Sequence, residues 1–176
     1  MPETRKLLIV LLALVLLGGF APALAAPPDG TLAIGVHVTL VSRWLDPGET
    51  EALITPFMVL YALHDALVKP MPEGNFTPCL AESYSISPDA RTYEFKLRTG
   101  VKFHNGDLMT AEDVIFSFWR YKSAQAKFIH ERTEKVEAVN PHLVRIHFKE
   151  PFPDFLEYLA PGVSTIQWVV PKKYVE

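Results

Sequence analysis

The sequence predicts an α+β fold of antiparallel hairpins and short helices, and three observations carry that prediction. The first is alternation. Tyr93, Phe95 and Leu97 interleave with Glu94, Lys96 and Arg98, a period of two that gives a strand one buried and one wetted face. The second is a helical period just downstream, with Ala111, Val114, Ile115 and Phe118 at the i, i+3, i+4, i+7 spacing. The third is punctuation. Fifteen prolines against nine glycines suit a loop-rich chain better than a helical bundle.

From the N-terminus, Met1 to Ala25 reads as a secretory signal peptide. Arg5 and Lys6 make a positive start, Leu7 to Leu17 is an unbroken apolar run, and Ala23-Leu24-Ala25 offers a small-residue cleavage site. The run falls short of the roughly 20 residues that a spanning helix needs, which weighs against a membrane anchor. With no cysteine near that site, a lipid anchor is not expected. Thr31 to His37 reads as the first mature strand, with Leu32, Ile34 and Val36 on one face. Leu45-Asp46-Pro47-Gly48 is a turn. Glu49 to Leu67 has a helical pattern, and Pro56 inside it moves the true start towards Thr55 as N-cap. Leu67–Lys69 and Asn75–Thr77 then flank a proline-glycine turn as a small hairpin.

The stretch from Leu80 to Tyr121 is the most regular. Ala81 to Ser87 pairs with the Tyr93–Leu97 strand across Ser87-Pro88-Asp89-Ala90, where proline stands at the second turn position. Gly100 and Asn105-Gly106 punctuate the loop that follows. Thr110 is the N-cap of the next helix, with Glu112 and Asp113 in its first turn favoured by the helix dipole. Ser123 to Glu131 is polar and ambiguous. Val136–Val139 and Leu143–Phe148 form another hairpin around Asn140-Pro141-His142. Phe155, Leu156 and Leu159 mark a short helix, Ser164 to Val170 a last strand, and Pro171 to Val175 the start of a further element.

Composition narrows the function. Seventeen Lys and Arg against twenty Asp and Glu, with no long basic run, exclude a nucleic-acid surface. The single cysteine, Cys79, has no partner in the chain and reads as a small buried hydrophobe. None of the six histidines falls in a metal-ligand spacing, and no nucleophile elbow, phosphate loop or dinucleotide fingerprint occurs, so an enzyme is not expected. His64-Asp65 reads as a structural pair rather than a polarised imidazole. His104-Asn105-Gly106-Asp107 reads as a turn whose side chains bond the backbone. Phe116, Phe118, Trp119 and Tyr121 read as core and surface aromatics rather than a stacking platform.

These residues together resemble the bacterial extracellular solute-binding proteins of family 5, the peptide- and nickel-binding group serving ABC importers. The matching pieces are Leu80-Ala81-Glu82-Ser83, Ser87-Pro88-Asp89, Tyr93-Glu94-Phe95, Leu97-Arg98, Gly100 to Gly106 and Thr110 to Val114, ending at Phe116-Ser117. Leu45-Asp46-Pro47, Tyr61 to Leu67, Glu150-Pro151-Phe152 and Val170 to Tyr174 fit as well. The resemblance implies a partial type II periplasmic binding protein-like fold: the edge of lobe I plus the accessory domain, with the second lobe missing. On that basis residues 1–25 are the signal peptide, 26–50 begin lobe I, and 51–176 carry the accessory domain with further lobe I segments.

The resemblance also implies a periplasmic protein that holds a di- or oligopeptide-like solute and meets an inner-membrane ABC permease, without cofactor or metal. Its cleft would be bordered by Thr50, Glu51 and Ala52, and Phe128 would line the accessory-domain side. Thr50 and Glu51 read equally well as a solvated helix start with Thr50 as cap. With half the cleft absent, weak solute binding is expected, and the unpaired Thr31–His37 edge predicts poor solubility. Two other readings stay open: a periplasmic structural or interaction module, and an inactive gene remnant.

Overall fold

The computed structural model describes residues 30, 31, 33, 35, 46–48, 59–159 and 168–176. The signal-peptide stretch, the Thr55 helix start, Thr50, Glu51 and Ala52, and most of the Ser164–Val170 strand lie outside them. So does much of the Thr31–His37 strand; Thr31, Ala33 and Gly35 are exposed and carry no regular structure. The chain divides into Met1–Val36 and His37–Glu176, and every element below belongs to the second unit.

Four antiparallel strands form the main sheet: β3 (Ala81–Ile86), β4 (Thr92–Leu97), β5 (Thr133–Asn140) and β6 (Leu143–Phe148), in the order β3-β4-β6-β5. Before them a helical turn, α1 (Tyr61–Leu63), leads into a two-stranded hairpin of β1 (Val68–Met71) and β2 (Gly74–Pro78). The alternation read from the sequence sets the faces of the sheet. Tyr93, Phe95 and Leu97 on β4 and Val144, Ile146 and Phe148 on β6 are all buried. Tyr93 stands opposite Ile146 and Phe95 opposite Val144. Burying each such side chain stabilises the fold by about 1.5–3 kcal/mol.

Helices cover the buried face. They are α2 (Ala111–Arg120), α3 (Ala124–Arg132) and α4 (Phe155–Leu159), followed near the C-terminus by α5 (Lys172–Val175). Val114, Phe118, Ile129, Phe155 and Leu159 join the strand residues in one core. Tyr93, Phe148 and Phe155 meet edge to face, with centroids 4.7 to 5.7 Å apart. The opposite face carries charge: Arg145 Nε donates to Glu94 Oε1 at 2.6 Å, and Glu137 Oε1 lies 3.1 Å from His147 Nε2.

Turn chemistry fixes the register. Ala90 N donates to Ser87 O at 2.8 Å, closing the turn behind Pro88, and Asp89 Oδ1 accepts from Ser87 Oγ and Arg91 N. Ala90 itself takes a left-handed φ of 53°. Around His104-Asn105-Gly106, Phe103 N donates to Asp107 O and Gly106 N to Phe103 O, with Gly106 at φ 91°. Asn105 Oδ1 accepts from Asp107 N, so this loop is the side-chain-supported turn its residues predict. At α2 the Thr110 cap is joined by Asp113, whose Oδ2 accepts from Thr110 N at 2.8 Å in a capping box.

Several expectations need correction. The helix expected to run to Leu67 stops at Leu63. His64 takes an extended backbone of φ −125° and ψ 154°, and Ala66 beyond it forms a bridge with Trp168. The Lys69 ammonium caps the freed end by donating to Tyr61 O at 3.2 Å. Cys79 is half-buried rather than buried, and its thiol lies 3.5 Å from Asp65 Oδ1. The ambiguous Ser123–Glu131 stretch is α3, because Ser123 Oγ accepts from Ala126 N and caps it.

Candidate functional site

The sequence puts its turn motifs far apart, and the fold gathers them around one cleft. Its volume is about 630 Å³. Asp46 and Pro47 form one stretch of the wall, Leu63 to Asp65 another, and the Val101–Asn105 loop a third. Val169, Pro171, Tyr174 and Val175 complete it, with Leu80 and Met109 between. Apolar side chains dominate, and a few polar groups converge among them, which is the usual make-up of a small-molecule site.

Each wall is held by identifiable bonds. Arg120, at the end of α2, grips Asp46 through two parallel bonds of 2.6 Å, Nη1 to Oδ1 and Nη2 to Oδ2. Asp46 Oδ1 also accepts from Gly48 N at 2.9 Å. The Arg120 hydrogen bond holds the Asp46 carboxyl below its ordinary range, against the opposing effect of its burial. A Cβ at Gly48 would stand 1.8 Å from Arg120 Nη1, so any larger residue there would have to displace the guanidinium.

At the second wall, Asp65 Oδ1 accepts from Lys69 Nζ at 2.9 Å. The same oxygen also lies 3.5 Å from Cys79 Sγ, which donates to it. Burial, then the neighbouring Asp65 charge, pushes the Cys79 thiol pKa up, so the thiolate is disfavoured. Lys69 is nearly fully buried, and its ammonium sits 4.0 Å over the Tyr61 ring.

The fourth wall hangs from α2. Tyr121 OH donates to Trp168 O at 2.8 Å and accepts from Trp168 N at 2.9 Å. Ser117 Oγ donates to Val170 O and accepts from Val170 N. Asp113 Oδ1 accepts from Lys172 N at 3.0 Å. Burial pushes the Tyr121 hydroxyl pKa far up, which keeps it a neutral donor.

Of the residues the sequence nominates, Thr50, Glu51 and Ala52 lie outside the described residues; the Asp46-Pro47 pair just before them does line the cleft. Phe128 does not join that lining. It is partly exposed on α3, stacked on Tyr158 at 5.8 Å, with Arg132 3.5 Å over its ring. Arg120, Lys69 and the Asp113–Ser117–Tyr121 stripe were not singled out from the sequence as site residues. The stripe does carry a signal, three polar residues four apart beside the apolar one. Among the described residues no cluster of three or more His, Cys, Asp or Glu could hold a metal, and no helix is long and apolar enough to cross a membrane.

Comparison with known proteins bears on what such a cleft belongs to. The model of the bacterial extracellular solute-binding proteins, family 5 Middle, matches residues 75–174. The chain belongs to this family. Family 5 comprises solute-binding proteins, not enzymes. Di/tripeptide-binding protein 2 of Pseudomonas aeruginosa is 31% identical over 176 residues, covering 88% of this chain and 33% of that protein. The glutathione-binding protein GsiB of Escherichia coli K12 is 30% identical over 160 residues, covering 85% and 29%. Among solved structures, OppA of Haemophilus influenzae in complex with RPPGFSPFR aligns with a TM-score of 0.62 at 28% identity, covering 74% of this chain and 29% of OppA. This family 5 chain therefore spans about a third of the length of its relatives, and its described residues are a mixed α/β portion of the periplasmic binding protein fold.

Proposed function

We propose that this chain supplies one side of a periplasmic solute-binding protein that delivers di- or oligopeptide-like solutes to an inner-membrane ABC permease. The observation that carries this reading is family 5 membership over residues 75–174, joined to relatives named for di- and tripeptides and for glutathione. Export through a cleaved Met1–Ala25 signal peptide fits such a role. The fold is read as the type II architecture, with the edge of lobe I and the accessory domain present here. We further propose that in the solute-binding protein Thr50, Glu51 and Ala52 border the solute cleft and Phe128 lines its accessory-domain side.

Binding by such a protein is hinge closure, a shift of population towards the liganded state. Main-chain bonds would supply affinity, and waters in side pockets would tolerate varied side chains. Neither step breaks a covalent bond, in keeping with a family of binding proteins. The chain spans about a third of its relatives' length, and by itself it is expected to hold solute weakly or not at all. Isothermal titration with a mixed peptide library tests this. Weak or undetectable heat is expected; micromolar or tighter binding by this chain would overturn that expectation.

A further inference from the structure

We propose that α2 is the frame that positions two walls of the cleft, with Arg120 holding the Asp46–Gly48 wall and Asp113, Ser117 and Tyr121 holding the Trp168–Lys172 wall. The geometry behind this is a matched repeat. Helix residues four apart rise about 6 Å, and alternate residues of an extended strand advance by about 6.6 Å. Side chains 113, 117 and 121 therefore meet residues 172, 170 and 168 in step, running in opposite directions. Ser117 and Tyr121 each give and take a bond with one residue, as a neighbouring strand would.

The other edge of the same segment is bonded too: Val169 N donates to Asp65 O at 3.0 Å, beside the Ala66–Trp168 bridge. The Trp168–Lys172 segment is thus threaded between the His64–Asp65 wall and a helix that acts as its second edge. Arg120 follows the stripe on the same helix and faces Asp46 across the chain. A fork of two donors fits the carboxylate in one orientation only, and the bare Cα of Gly48 leaves the guanidinium room. Two walls from distant parts of the sequence so take their positions from ten residues of α2 and its C-cap, Tyr121. The inference deepens the solute-binding reading by naming what sets the cleft's width.

Amide hydrogen exchange on the 176-residue chain tests it through the bonded amides themselves. In Arg120→Met, Asp46 loses the fork that holds it, and exchange at Gly48 N–H, which donates to Asp46 Oδ1, should speed up by about tenfold. Arg120→Lys should restore only part of the protection, because an ammonium cannot fork. In Tyr121→Phe the Trp168 amide should quicken similarly, and in Ser117→Ala the Val170 amide. Leu97 N and Phe148 N, bonded to His142 O and Arg91 O in the sheet, serve as references and should not change. Unchanged exchange at Gly48 in Arg120→Met, or at both Trp168 and Val170 in their variants, overturns the proposal. Equal acceleration at the reference amides, or failure of both wall variants to fold, also overturns it, since α2 would then hold the whole fold rather than the walls. Peptide titration of the wild-type chain scores the solute reading separately, because the exchange result does not depend on any solute.

Discussion

Asp46 shows how much one carboxylate can carry. Its ordinary pKa of 3.8 is lowered in the folded chain, first by the hydrogen bond from Arg120. A group whose folded pKa lies below its unfolded value stabilises the fold above the unfolded value, and that contribution is lost as pH falls through the folded one. The stability curve should therefore bend downward below about pH 4, and Asp46→Asn should flatten that limb while lowering the plateau above it. Thermal melts from pH 2 to 7 check this; an unchanged acid limb in the variant would remove Asp46 as its source. Tyr93 makes a comparable point without charge. Its ring is fully buried, and its hydroxyl donates to Phe152 O at 2.6 Å. Tyr93→Phe keeps the packing and removes one of the two bonds that Phe152 O accepts, Phe155 N supplying the other at 3.2 Å, so urea unfolding should show a loss of about 0.5–1.5 kcal/mol. A loss below a few tenths would mean that water replaces the bond.

At the scale of elements, the legible parts are those whose signals are local. Period-two alternation at Tyr93–Leu97 and Val144–Phe148, the Pro88 turn and the Thr110 cap all act within a few residues of themselves. Each is found where the sequence puts it. Elements decided by distant partners were not legible. The end of α1 depends on Trp168, more than a hundred residues away, and α3 has a weak apolar face of its own and rests on its Ser123 cap. The candidate site follows the same rule. Asp46-Pro47 was visible as a motif, but its grip by Arg120 spans 74 residues. Asp113 looked like a dipole-stabilising residue in a first helical turn, and it also carries the Lys172 amide on its second oxygen. Asp113→Ala should therefore cost more than a lost cap alone, about 2–3 kcal/mol in all. Thr110→Ala, which leaves the Lys172 bond intact, should cost about 1 kcal/mol. Equal losses in the two variants by urea unfolding would show that the Lys172 bond contributes nothing.

For the whole molecule, the question is what joins the sheet to the layers around it. The sheet has one charged face and one apolar face, so its stability rests on what covers the second. Much of that cover converges on Phe155, which is fully buried and whose ring lies within 6 Å of Tyr93, Phe148 and Phe152. Through Phe152, the same cluster receives the Tyr93 hydroxyl bond and reaches Phe128 on α3. Truncation to alanine removes ring contacts on three neighbours at once and leaves a cavity that the rigid strand backbones cannot close. The expected cost of Phe155→Ala is about 3–5 kcal/mol, a large share of the 5–15 kcal/mol that holds a typical domain. Urea unfolding followed by tryptophan fluorescence should show a midpoint shift of that size. Phe128→Ala, at the half-exposed rim of the same cluster, should cost about 1 kcal/mol or less. A Phe155→Ala loss as small as that at Phe128 would mean that the sheet is held mainly by α2 and its bonds to Trp168, Val170 and Lys172.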